Sequence, residues 1–144
     1  MARQKAEKER MRLRRQARSL NRTKWQEGEL NAILADPSSE ASRVFKEYIR
    51  LLTIRARHPA FHPDGGQSAL DLGDSVFAVL RTAPKGDERV LAIHNVTECP
   101  VSISSARLEA HDFQPSATAD LISGREAGGD FTLAPYQSAW LCAR

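Results

Sequence analysis

At His58-Pro59-Ala60-Phe61 the apolar residues of this chain change their spacing, and few folds accommodate both halves. Before that point Ala41, Val44, Phe45, Tyr48, Leu51 and Leu52 recur in steps of three and four. That period draws one continuous stripe along a helix predicted over 36–57. Asp36-Pro37 supplies an N-cap followed by proline at the first helical position, with Ser38 or Ser39 as alternative caps. Arg43, Lys46, Glu47 and Arg50 fall off the stripe, on the solvated side. Arg55, Arg57 and His58 suit the negative end of the helix dipole, and Pro59 ends the helix. A shorter helix is predicted around Glu29–Ala35.

After Phe61 the apolar runs shorten and are separated by clusters of Gly, Pro, Asp and Ser, the pattern of an antiparallel β domain. Strands are predicted near Ser68–Leu72, Ser75–Arg81, Arg89–Asn95, Val101–Leu108, Ala119–Ile122, Asp130–Leu133 and Ser138–Cys142. Pro84-Lys85-Gly86-Asp87 reads as the turn of a hairpin. In Val76-Phe77-Ala78-Val79-Leu80 both faces are apolar, as in a central strand covered on two sides. The fold class is therefore α+β, with helices leading into an antiparallel β-sandwich.

Charge divides the chain differently. Residues 1–18 hold eight Lys/Arg against Glu7 and Glu9, a local +6, so the whole-chain +3 leaves −3 for the remainder. Residues 1–17 have only Met11 and Leu13 as large apolar side chains, so a helix there has no face to bury. This stretch reads either as a solvated, frayed extension or as an arm that binds nucleic-acid phosphates. No aromatic residue interleaves the charges to stack on bases, which favours the solvated reading. The expected organisation is thus 1–17, 18–63 and 64–144. At 41% hydrophobic and 27% charged the composition is that of a globular protein. No apolar run approaches the ~20 residues that span a bilayer, and a cytoplasmic setting is expected. Cys99 and Cys142 lack metal-ligand spacing and read as reduced thiols, although a single disulfide also fits. Asn95-Val96-Thr97 matches a glycosylation acceptor, which has no meaning without secretion.

No self-contained active site is visible. His58 and His62 stand four apart, but Pro59 and Pro63 break the helix that would align them, and His94 falls in a predicted strand. No metal site is expected from such spacing. Ser102, Ser104 and Ser105 lie outside any Gly-x-Ser-x-Gly elbow. Cys142 reads as packing the last strand. Gly65-Gly66 and Gly128-Gly129 lack the helix and Lys that a phosphate loop requires. Asp71, Asp74, Asp112 and Asp120 fall in turns and strand ends.

Three strings nevertheless resemble one family: SLNRTKW at 19–25, RLLTIRARHPAFHP at 50–63 and LDLGDSVFAVLR at 70–81. They are similar to the C-terminal portion of sucrose phosphorylase-like enzymes of the α-amylase superfamily (glycoside hydrolase family 13). The nearest branch holds the sucrose-6-phosphate and glucosylglycerate phosphorylases. VLAIHNVT at 90–97, DLISG at 120–124 and LAPYQSAWL at 133–141 resemble the closing β domain of those enzymes.

The resemblance implies that 18–61 is the last loop and helix of a (β/α)8 barrel and that 64–144 is a C-terminal sandwich. It implies retaining phosphorolysis of an α-glucoside to glucose 1-phosphate in a full-length enzyme, with no organic cofactor. The family's nucleophilic Asp, acid/base Glu and stabilising Asp come from earlier barrel strands, so this chain has no catalytic residue. Arg22 carries over as a glucose-subsite residue, a role that suits the fixed donor fork of a guanidinium. Asn21 carries over as loop support, and Trp25 as either core or a wall of the acceptor site. Fragment status further implies an uncovered face at Val44, Phe45, Tyr48, Leu51 and Leu52, hence self-association or docking on the sandwich. The alternative function is a small β-sandwich binding module with a basic nucleic-acid arm.

Overall fold

The computed structural model describes Glu7, Met11, residues 24–114 and residues 118–143. The basic extension 1–17, apart from Glu7 and Met11, lies outside the described residues. The chain divides into two compact units, Met1–Glu47 and Tyr48–Arg144.

In the first unit α1 spans Glu27–Ala35, and α2 (Glu40–Arg57) begins four residues after Asp36. The predicted N-cap at Asp36 is corrected. Asp36 instead closes α1, its N–H donating to the Ala32 carbonyl at 3.2 Å. Its carboxylate is occupied in the loop, where Oδ1 accepts from the Ser38 N–H at 2.9 Å and the Ser38 hydroxyl at 2.7 Å. Ser39 supplies the α2 cap, accepting from the Ser42 N–H. Ser42 is the one buried residue of α2, and its Oγ donates to the Leu34 carbonyl at 2.8 Å. That carbonyl is among the last four of α1, which have no partner inside their own helix.

The apolar stripe of α2 is uncovered. Val44 and Phe45 are exposed in the first unit, and Tyr48, Ile49 and Leu52 in the second. Leu51 is half-buried, so Ile49, which stands i+4 from Phe45 and i−3 from Leu52, takes its place in the exposed row.

In the second unit, α2 ends at Arg57 and a 3-10 turn follows at Pro59–Phe61. The strands are β1 (Gly66–Leu70), β2 (Val76–Thr82), β3 (Arg89–Asn95), β4 (Val101–Ile103), β5 (Thr118–Asp120), β6 (Phe131–Leu133) and β7 (Ser138–Ala143). Five form one antiparallel sheet in the order β1-β2-β3-β7-β5, and β4 pairs β6 in a second, two-stranded sheet. Leu80, Leu91, Ile93 and Leu141 from the large sheet pack with Ile103, Leu108, Phe113 and Leu133 in the main core. This is the two-layer arrangement expected, with two differences in detail.

Val101–Leu108 is not one strand. Pairing stops at Ile103, and Ser104 caps a short helix α3, Ser105–Glu109, by accepting from the Arg107 N–H. Asp130 reinforces that start, accepting from the Ser105 N–H at 2.8 Å and its hydroxyl at 3.0 Å. Helical winding is what turns Leu108 into the core, where it is fully buried.

The strand covered on both faces is β3 rather than β2. Leu91 and Ile93 face the main core, while Val90 joins a second cluster with Ala60, Cys142, Phe61, Leu121 and Trp140. On β2 only Val76, Ala78 and Leu80 are buried; Phe77 is 55% exposed and stacks on His94 at the surface. The 3-10 turn provides the extra cover, lying over β3 and β7 and reaching β2 at its far end.

Candidate functional site

Asn21 and Arg22, the substrate-binding residues expected from the resemblance, lie outside the described residues. Trp25 is described and half exposed, one residue before the Gln26 that precedes α1.

The string Arg55-Ala56-Arg57-His58-Pro59-Ala60-Phe61 forms a joint in the second unit. His58 leaves the helix in an extended conformation (φ −113°, ψ 112°), as a residue before proline must. The carboxylate of Glu88 grips both sides of Pro59: Oε2 lies 2.8 Å from His58 Nδ1, and Oε1 accepts from the Ala60 N–H at 2.9 Å. Arg81 of β2 completes the grip, with Nε donating to the Ala60 carbonyl at 3.2 Å and Nη2 to the His62 carbonyl at 2.8 Å. Phe61 packs on Trp140, ring centroids 5.0 Å apart, and the Arg55 guanidinium lies 5.9 Å from the Phe61 ring centre.

Glu88 is placed by the β2–β3 hairpin. Its carbonyl accepts from the Ala83 N–H at 2.8 Å, and Gly86 takes the positive φ (+75°) that the turn requires. Cys142 of β7 is registered opposite Val90. Its Sγ therefore comes within 3.9 Å of Glu88 Oε2. Among the described residues His58, Glu88 and Cys142 are the one group of three His, Cys or carboxylate donors within 4.8 Å of one another. Spacing along the sequence gives no sign of it, since Glu88 stands 30 residues from His58 and 54 from Cys142. An open pocket of about 360 Å³ adjoins it, lined by Arg55, Ala56, His58, Phe61, His62 and Pro63.

Other polar residues have structural work. Asn95 is buried, its Nδ2 donating to the Cys99 carbonyl at 2.7 Å and the Ala134 carbonyl at 2.9 Å. Its Oδ1 accepts from the Thr97 N–H and hydroxyl. The amide that a glycan would need is thus occupied in the folded chain. Asp71 Oδ1 accepts from the Gly73 N–H at 3.0 Å, as turn chemistry predicts. His94 sits with Nδ1 2.8 Å from the Ser138 hydroxyl, and burial holds its pKa below the usual histidine value. Among the described residues no helix is long and apolar enough to cross a membrane.

Residues 75–141 match the family of the D-apionate lactonase C-terminal immunoglobulin-like domain. Over 124 residues the chain is 36% identical to a glucosylglycerate phosphorylase of Allomeiothermus silvanus, covering 86% of this chain and 20% of that enzyme. A glucosylglycerate phosphorylase of Spirochaeta thermophila is 38% identical over 134 residues, covering 86% and 23%. Over most of its length the chain is similar to the C-terminal part of phosphorylase-like enzymes of the α-amylase family. It spans about a fifth of the length of the curated relatives it matches.

Solved structures agree at the level of fold. AmyP in complex with maltose superposes with a TM-score of 0.56 at 24% identity, over 72% of this chain and 21% of that one. An isomaltulose synthase from a Klebsiella species gives 0.52 at 24%, over 67% and 17%. The expected architecture, helices running into an antiparallel β domain like that of α-amylases, is the one found.

Proposed function

We propose that this chain is the C-terminal segment of a glucosylglycerate phosphorylase-like glucosyltransferase and is inactive by itself. The similarity over 86% of the chain to enzymes about four times its length carries this reading. Residues 18–63 then correspond to the end of the barrel and 64–144 to the β domain that closes it. In a complete cytoplasmic enzyme of this kind, a barrel carboxylate attacks the anomeric carbon of an α-glucoside. Phosphate then takes the glucosyl group with net retention. The 144 residues contribute binding and support. Arg22 holds sugar hydroxyls in the glucose subsite, Asn21 steadies its loop, and nucleophile and proton donor come from outside this segment.

The exposed row on α2 supports the same reading. Apolar side chains in steps of three and four suit a partner surface, and the resemblance assigns that surface to the barrel. Without the barrel, a second copy of the chain covers the row.

A chimera tests the proposal. The corresponding C-terminal fifth of the Spirochaeta thermophila enzyme is replaced by this chain, and glucose 1-phosphate is measured with glucosylglycerate and phosphate. The chimera is expected to turn over. Arg22→Lys in the chimera is expected to lower kcat/KM about 100-fold, roughly 2.7 kcal/mol of transition-state binding. The 144-residue chain assayed alone is expected to form no product. Turnover by the chain alone, or an Arg22→Lys chimera as active as its parent, overturns the assignment.

A further inference from the structure

We propose that His58, Glu88 and Cys142 form a binding site for a thiophilic divalent cation, with zinc as the ion their chemistry fits. Nitrogen, oxygen and sulfur donors stand together at one point: Nδ1 lies 2.8 Å from Oε2, Oε2 lies 3.9 Å from Sγ, and the three donors fall within 4.8 Å of one another. A mixed set of imidazole, carboxylate and thiolate is characteristic of zinc, whereas calcium and magnesium take oxygen alone.

Geometry and burial favour the same ion. Ligand atoms around tetrahedral zinc, at bond lengths of about 2.0–2.3 Å, stand roughly 3.3–3.8 Å apart. The sulfur–oxygen separation already approaches that range, and the nitrogen–oxygen pair needs to open by about 0.5 Å. His58 is the residue free to make that adjustment. It sits in the extended link between α2 and the 3-10 turn, with a side chain 23% exposed. Glu88 and Cys142 are held by the β2–β3 hairpin and the β3–β7 ladder.

The support around the donors resembles that of a built site. The Ala60 N–H fixes Glu88 through Oε1, which leaves Oε2 turned toward His58 and Cys142. Outer hydrogen bonds of this kind orient the ligands of bound metals. The sulfur is buried in the Ala60, Val90 and Trp140 cluster, while the side of His58 opens on the pocket beside Arg55 and His62. An ion therefore has an entry side and a dry side. Three protein donors leave a fourth position for water. Binding breaks the His58–Glu88 hydrogen bond, with the neutral imidazole's proton passing from Nδ1 to Nε2, and releases the Cys142 thiol proton to solvent. The bound ion ties the end of α2 to β3 and β7, three elements far apart in sequence.

The full chain without an affinity tag, stripped of metal, is titrated with Zn2+ and with Co2+ under reducing conditions. One equivalent is expected to bind. Cobalt is expected to show the visible bands of a tetrahedral site and a thiolate-to-cobalt charge-transfer band. Cys142→Ala is expected to abolish that band and to weaken zinc at least 100-fold, whereas Cys99→Ala, at an exposed position, leaves both unchanged. His58→Gln, which leaves the strands untouched, is expected to weaken zinc about 10–100-fold as well. Zinc should raise the Tm of the parent and not that of Cys142→Ala. No stoichiometric binding by the parent chain, a cobalt spectrum without the thiolate band, or zinc binding that survives Cys142→Ala overturns the site.

Discussion

Asp120 Oδ1 accepts the backbone N–H of Trp140 at 2.9 Å and joins the end of β5 to the middle of β7 through a side chain. The same carboxylate also accepts from the Ile122 N–H at 3.0 Å and the Ser123 N–H at 3.1 Å, so one buried group organises the whole Asp120-Leu121-Ile122-Ser123-Gly124 turn. Gly124 completes it at φ +72°, donating to the Asp120 carbonyl at 2.7 Å.

Removing that carboxylate leaves backbone donors without acceptors where water has little access. Asp120→Ala is expected to lower stability by about 2–4 kcal/mol. Asp120→Asn keeps one acceptor but turns a donor toward a donor, and falls between the two. Urea unfolding measures both; a loss under about 0.5 kcal/mol for the alanine variant contradicts this account.

In the first unit the corresponding contact is Ser42 Oγ to the Leu34 carbonyl. Ser42→Ala is expected to cost about 1 kcal/mol by unpairing a helix-end carbonyl. The loss should appear as faster amide exchange in Glu27–Ala35, with exchange in β3 and β7 unchanged.

Neighbouring glycines provide a paired test at the start of β1. A Cβ on Gly65 meets the Thr82 carbonyl at 2.6 Å and the His62 carbonyl at 3.1 Å, both rigid backbone. A Cβ on Gly66 meets only the Thr82 side chain, at 3.6 Å. Gly65→Ala is expected to destabilise by about 1–3 kcal/mol, and Gly66→Ala to be close to neutral. Equal Tm values for the two variants contradict the close approach.

Acid should weaken the fold through His94. Its folded pKa lies below the ordinary 6.5 because burial disfavours the imidazolium. As pH falls through about 6.5 the unfolded chain takes up the proton first, so stability drops between there and the lower folded pKa. Above that window His94 contributes no pH dependence. His94→Gln is expected to flatten this part of a stability–pH curve. Asp36 and Asp130 act in another window: hydrogen bonds from Ser38 and from Ser105 lower their pKa values below 3.8. The stability they add is present above about 3.8 and is lost as pH falls through the folded values.

Local pattern carried most of the fold into the sequence. The 3.6 period of α2, the short apolar run of β2 and the turn at Pro84–Asp87 all lie between near neighbours, and the elements stand close to where that spacing puts them. Ser104 shows where pattern stops. Val101–Leu108 alternates well enough for a strand, but Asp130, distant in sequence, holds the Ser105 N–H and converts the second half to a helix. The grouping of His58, Glu88 and Cys142 was illegible for the same reason. Glu88 looks like an ordinary charge after a turn, and only strand register brings Cys142 to it.

The exposed row of α2 gives the last prediction. Val44, Phe45, Tyr48, Ile49 and Leu52 are 40–63% exposed, on an 18-residue helix whose one buried residue is a serine. A helix gains most of its stability from packing an apolar face, so a face left in water is both a cost and an adhesive surface. The chain alone is expected to self-associate as its concentration rises, with sedimentation showing a mass above that of the 16.0 kDa monomer. Ile49→Glu with Leu52→Glu should return it to the monomer, without altering β-sheet circular dichroism, because neither side chain belongs to the sandwich cores. A parent chain that stays monomeric at every concentration, or a double variant that associates as strongly as the parent, rules out this face as the contact.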